Sequence, residues 1–108
     1  MKYLYDLIAN EILCFDSSIT IKVCKHYFSF KCVDLNKKRS FADIYVQRRK
    51  IRIQILKSNQ YLDPKNILSL NNENWTLGQY LEVKDEDEMQ YAISLMKQSF
   101  KFAKDKLK

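Results

Sequence analysis

Two consecutive stretches with a strict two-residue period constrain this chain more than any other feature. From Phe41 to Gln47, Ala42, Ile44 and Val46 alternate with Asp43, Tyr45 and Gln47; from Lys50 to Leu56, Ile51, Ile53 and Ile55 alternate with Lys50, Arg52 and Gln54. Side chains of an extended strand point to opposite faces in turn, so each stretch has one apolar and one polar face. Only Arg48 and Arg49 separate them, a connection tight enough to make an antiparallel hairpin. The apolar face of that hairpin has to be covered, and the ends of the chain supply the cover.

From Met89 onward, Ala92, Ile93, Met96, Phe100, Ala103 and Leu107 form a continuous stripe at helical spacing. Asp85, Glu86, Asp87 and Glu88 open this helix and lysines crowd its end, a distribution that complements the helix dipole and accounts for both charge runs without a ligand. Between Tyr3 and Leu13, the spacing of Leu4, Leu7, Ile8 and Ile12 predicts a second amphipathic helix, and Asp16, Ser17 and Ser18 follow as a turn. Tyr27 to Val33 reads as a strand, with Asn36 to Ser40 as the turn leading into Phe41. Residues 57–74 are rich in Asn, Ser and Asp and predict a long irregular connection, with Pro64 opening a helical turn through Leu68. Trp75 to Val83 predicts a fourth strand in which Gly78 marks a bulge or a close backbone approach. Ile19 to Lys25 fits either period: β-branched residues alternate with Thr20 and Lys22, yet Ile19, Val23 and Tyr27 also share a helical face.

At 108 residues, with 46% hydrophobic residues, one glycine and one proline, the chain has the material for one packed domain rather than a disordered tail. Its charge is uneven. Residues 1–57 carry twelve Lys or Arg against five acids, a net +7, and residues 58–108 carry seven against eight, a net −1. A basic region of this kind attracts nucleic acid, anionic lipid or acidic protein. Asp6, Asn10 and Glu11 interrupt the N-terminal apolar stretch, which argues against a signal peptide, and no run approaches the roughly 20 apolar residues that span a bilayer. The expectation is a cytoplasmic protein with no membrane association. Cys14, Cys24 and Cys32 form no CxxC pair, leave one thiol over under any disulfide scheme, and with His26 match no zinc-ligand spacing. No metal and no cofactor are expected.

Alternation sends Asp43, Tyr45, Gln47, Lys50, Arg52 and Gln54 to the sheet face opposite the helices, joined by Tyr27, Ser29 and Lys31 from the preceding strand. Aromatic rings, amides and cations on one open face suit base stacking and phosphate contact, and they equally suit a protein partner or a homodimer, since Tyr and Arg dominate interface hot spots. The turn cations Lys37, Lys38, Arg39, Arg48 and Arg49 are natural phosphate contacts, expected to lie within a Debye length of one another. Catalysis has weaker support. Asp43 with Lys50 or Arg52 is similar to metal-dependent nuclease chemistry, but Gln47 and Gln54 stand where the second carboxylate is wanted, and His26 has no nucleophile at a recognisable spacing.

The succession Asp16, Tyr27, Phe30, Lys31, Phe41 and Ala42, the basic strand Lys50 to Leu56, and the acidic start of the helix from Asp85 to Phe100 with Leu95 and Gln98 resembles a known family. It is the uncharacterised bacterial domain often labelled "predicted transport protein", domain of unknown function 5655, which occurs alone or at the C-terminus of nuclease-like or restriction-type proteins. The resemblance implies a helical segment after Asp16, and Ile19 to Lys25 is therefore expected to be a short helix. It also implies work on or near nucleic acid, in the setting of bacterial defence. The family's glycine-rich stretch before the last strand is reduced here to Gly78. The expected architecture is α+β: an N-terminal helix, a short second helix, a four-stranded mainly antiparallel sheet, and a C-terminal helix packed on one sheet face. The expected function is a small non-catalytic module contacting DNA, RNA or a nucleoprotein partner through Lys31, Lys37, Lys38, Arg39, Tyr45, Gln47, Arg48, Arg49, Lys50, Arg52 and Gln54. A homodimeric or adaptor module, and then a divergent nuclease-like enzyme, are the alternatives.

Overall fold

The two alternating segments form the middle of a six-stranded antiparallel sheet in the computed structural model, which describes residues 2–34, 37–71 and 77–107. In chain order the elements are α1 (Lys2–Phe15), β1 (Ile19–Val23), β2 (Phe28–Asp34), β3 (Lys37–Val46), β4 (Ile51–Ile55), β5 (Ser69–Leu70), β6 (Gln79–Val83) and α2 (Glu86–Leu107). The strands lie in the order β1-β2-β3-β4-β6-β5, and both helices pack on one face. The core is continuous from Leu4, Ile8 and Ile12 of α1 through Phe30, Ile44, Ile53 and Leu81 of the sheet to Ala92, Met96 and Phe100 of α2. A sheet with one covered face is the arrangement that alternation demands.

Three expectations are corrected. The sheet has six strands, not four, and one of the additions is Ile19–Val23, expected as a helix. Ser18 N–H donates to Asp16 Oδ1 at 2.8 Å and Ile19 N–H to Asp16 O at 3.2 Å, so the chain turns sharply out of α1. β1 then registers with β2 from Ile19↔Cys32 to Val23↔Phe28. Cross-strand pairing satisfies more backbone than one isolated helical turn, and the β-branched residues suit it.

The polar run Lys37 to Ser40, expected as a turn, is the first part of β3. The reason is a bulge: Phe30 pairs with Ala42 and Lys31 with Ser40, leaving Phe41 as the extra residue. Phe41 and Ala42 are both fully buried as a result, which breaks the alternation at the point where it was lost in the sequence. Finally, the turn opened by Pro64 does not run on helically to Leu68. Asn66 N–H donates to Asp63 O at 2.9 Å and Asn66 takes a left-handed φ of 53°, which ends the turn. The Asp63 carboxylate then accepts from Ile67 N–H at 3.2 Å, Leu68 N–H at 3.0 Å and the Tyr91 hydroxyl, tying the loop to α2. Of the predicted strand Trp75 to Val83, Trp75 lies outside the described residues and pairing begins at Gln79. Gly78 is a close approach: a Cβ there would meet Lys57 Cβ at 2.9 Å.

Candidate functional site on the open sheet face

On the face turned away from the helices, register assembles a row across five strands: Lys22, Ser29, Asp43, Gln54 and Tyr80. Beside it run Tyr45, Arg52 and Glu82, and on the other side Thr20, Lys31 and Ser40. These side chains hold one another. Arg52 lies over the Tyr80 ring, 3.8 Å from Cζ to the centroid, and Arg52 Nη2 donates to Asn71 Oδ1 at 3.3 Å. Lys50 pairs with Glu82. Lys31 Nζ donates to Ser40 Oγ at 3.2 Å, and the Ser40 and Ser29 hydroxyls are 2.9 Å apart. Tyr27, entering β2, stacks on Tyr45 with centroids 5.0 Å apart and planes 29° apart.

The electrostatics follow from this crowding. Burial raises the Asp43 pKa, against the Ser29 hydrogen bond and the Lys31 charge, and Asp43 Oδ1 is buried without a hydrogen-bond partner among the described residues. Burial and the Asp43 charge also raise the Tyr45 pKa. Tyr27 is raised first by its hydrogen bond with Cys24. Glu82 is lowered first by its hydrogen bond with Lys50.

The expected contact residues do not all meet. Tyr45, Arg52 and Lys31 lie on the open face, half-buried, while Gln54 is only 5% exposed beneath its neighbours and offers little to a ligand. Gln47, Arg48 and Arg49 are exposed in the β3–β4 turn, closed by Gln47 N–H donating to Lys50 O at 3.0 Å. For Lys37, Lys38 and Arg39 the structure gives the strand backbone alone, and their side chains lie outside what is described. That backbone is at the opposite end of β3 from Arg48 and Arg49, about 30 Å away along the strand. The two clusters are thus well beyond a Debye length of about 8 Å from each other. At the Arg48 and Arg49 end of the sheet lies instead the β1–β2 turn, with exposed Lys25 and His26, and with exposed Lys22 on β1 just before it. Sequence reading missed Lys22 and Lys25 because Ile19 to Lys25 was expected to be a helix; the alternation of Ile19, Ile21 and Val23 with Thr20 and Lys22 was the available signal.

Among the described residues, no three His, Cys, Asp or Glu side chains are grouped to hold a metal ion, and no helix is long and apolar enough to cross a membrane. Fold and surface together define a class: an α+β domain with a two-helix cover on one sheet face and a polar, aromatic, cation-bordered opposite face. Residues 1–103 match the family described as Domain of unknown function (DUF5655), and the chain belongs to that family. It is 33% identical over 102 residues to an uncharacterized protein of Haemophilus influenzae (strain ATCC 51907 / DSM 11121 / KW20 / Rd), a match covering 91% of this chain and 32% of that relative. The chain therefore spans about a third of the length of that curated relative. No solved structure matches it.

Proposed function

We propose that this domain is a non-catalytic module that binds single-stranded nucleic acid across the open sheet face. One observation carries the reading: the Tyr27–Tyr45 stack sits at the end of the sheet where the exposed Lys25, Arg48 and Arg49 emerge from two neighbouring turns. Aromatic faces accept bases without regard to sequence, and cations at the border hold the phosphates that link them. Lys31, Lys50 and Arg52 serve differently from expectation, because they already pair with Ser40, Glu82 and Tyr80; they shape the platform and leave backbone contact to the turns. The nuclease-like alternative keeps Asp43 without a second carboxylate beside it among the described residues.

Fluorescence anisotropy with labelled single-stranded DNA, single-stranded RNA and duplex DNA over a salt series tests the proposal. Single strands are expected to bind at low salt, with affinity falling as salt rises; Arg48→Glu with Arg49→Glu should weaken binding and flatten the salt slope. Tyr45→Ala should cost about 1–3 kcal/mol with the salt slope unchanged. Absence of binding at low salt, or indifference to the double arginine change, overturns it.

A further inference from the structure

The two edges of the sheet end differently. At one, β5 has two residues, Ser69 and Leu70, too few to template another chain. At the other, β1 runs for five residues, Ile19-Thr20-Ile21-Lys22-Val23, and among the described residues no strand lies beyond it. Cys24 N–H donates to Tyr27 O at 2.9 Å and closes the β1–β2 hairpin. Alternation along the antiparallel pair then directs the peptide groups of Lys22 and Thr20 toward β2 and those of Ile19, Ile21 and Val23 away from it. The Ile19 N–H is taken up locally by Asp16 O. Among the described residues, no backbone hydrogen bond outside the ladders reaches the N–H of Ile21 or Val23. On the helix side of the same strand burial runs out: Ile19 is in the core, Ile21 half-buried, and Val23 72% exposed.

We propose that β1 is the seam of a homodimer, pairing antiparallel with β1 of a second copy about a two-fold axis through Ile21. In this register the two Ile21 residues exchange both backbone hydrogen bonds, and each Val23 N–H donates to Ile19 C=O of the other copy. The Ile19 N–H, already satisfied within its own chain, is not needed. The strand's single charge favours this register. Lys22 falls opposite Thr20, whereas centring the axis on Lys22 would set the two lysines face to face. The exposed Val23 gains Ile19 of the second copy as its cross-strand neighbour. The result is one continuous twelve-stranded sheet, six strands from each copy, whose open faces join.

Sedimentation equilibrium from micromolar to millimolar protein, with amide exchange followed by NMR, tests this. The mass is expected to rise from 13.0 kDa toward twice that value with concentration. The amides of Ile21 and Val23 should become protected in step with the mass, while those of Thr20 and Lys22 are protected throughout. Ile21→Pro removes only a donor that faces away from β2, and should leave a folded monomer. Val23→Lys alters a side chain that is exposed in the single chain and should weaken association about tenfold without lowering the melting temperature. A monomer at every concentration overturns the proposal, as does a dimer that survives Val23→Lys unweakened with the Ile21 and Val23 amides unprotected. Should Ile21→Pro fail to fold, Val23→Lys and the exchange pattern decide alone.

Discussion

Two rows of side chains, one residue apart in register, show how differently the faces of this sheet are held. On the helix side, Phe28, Ile44, Ile53 and Leu81 stand side by side across four strands, packed under α1 and α2. One step along, Ser29, Asp43, Gln54 and Tyr80 cross the same four strands on the open side. The inner row is secured by many weak, non-directional contacts and by removal from water. The outer row is secured by pairwise polar contacts, each dependent on geometry, and it keeps an acid in a partly desolvated place. Stability should therefore reside in the inner row, and response to charge and pH in the outer one.

The sharpest way to break this contrast is to truncate each row in turn. Ile53→Ala, which opens a cavity in the core beneath α2, is expected to cost about 2–5 kcal/mol in urea unfolding. Ser99 of α2 is the polar exception inside the core: fully buried, its hydroxyl donates to Phe41 O at 2.5 Å and accepts from Leu56 N–H at 3.1 Å. It satisfies the backbone where the bulge and the end of β4 would leave it bare. Ser99→Ala is therefore expected to cost about 2 kcal/mol, by the same measurement, because two buried peptide groups lose their partner.

The outer row should answer with the opposite sign. Folding raises the Asp43 pKa above its ordinary value of 3.8, so the folded state binds the proton more tightly than the unfolded chain. The contribution of this group to stability is then greatest below that value and is lost as pH rises through the raised pKa. Asp43→Asn is expected to raise the melting temperature at neutral pH by less than Ile53→Ala lowers it, with the gain vanishing below about pH 3.8. A large loss of stability at neutral pH would mean that the open face is a second core, and the contrast between the rows would fail.

Much of the inner face was legible. Ile44, Val46, Ile51, Ile53 and Ile55 announced themselves by a period of two, and the α2 stripe by a period near four, because burial on one face leaves a direct imprint on the order of residues. Phe41 was not legible as a core residue. A bulge adds a residue without changing the local composition, and only the shift from Phe30↔Ala42 to Lys31↔Ser40 reveals it. The outer face was legible as a set of residues but not as an arrangement. Nothing in the order of Tyr27, Tyr45, Arg52 and Tyr80 says which rings stack and which cation covers a ring. β1 was misjudged because five residues of mixed period are decided by their partner strand.

By itself, then, the sequence determined the α+β class, the central hairpin, the two covering helices and the sign of the charge in the first half, since these are written in local period and composition. Tertiary structure alone decided which cations are neighbours. It carried Lys37 to Arg39 to one end of β3 and Arg48 and Arg49 to the other, and it brought Lys25 from a separate hairpin to the same end of the sheet as Arg48. It also left β1 as the open edge. Strand order and register are non-local properties, set by which pairings bury the common core, and they place side chains that no spacing along the chain relates.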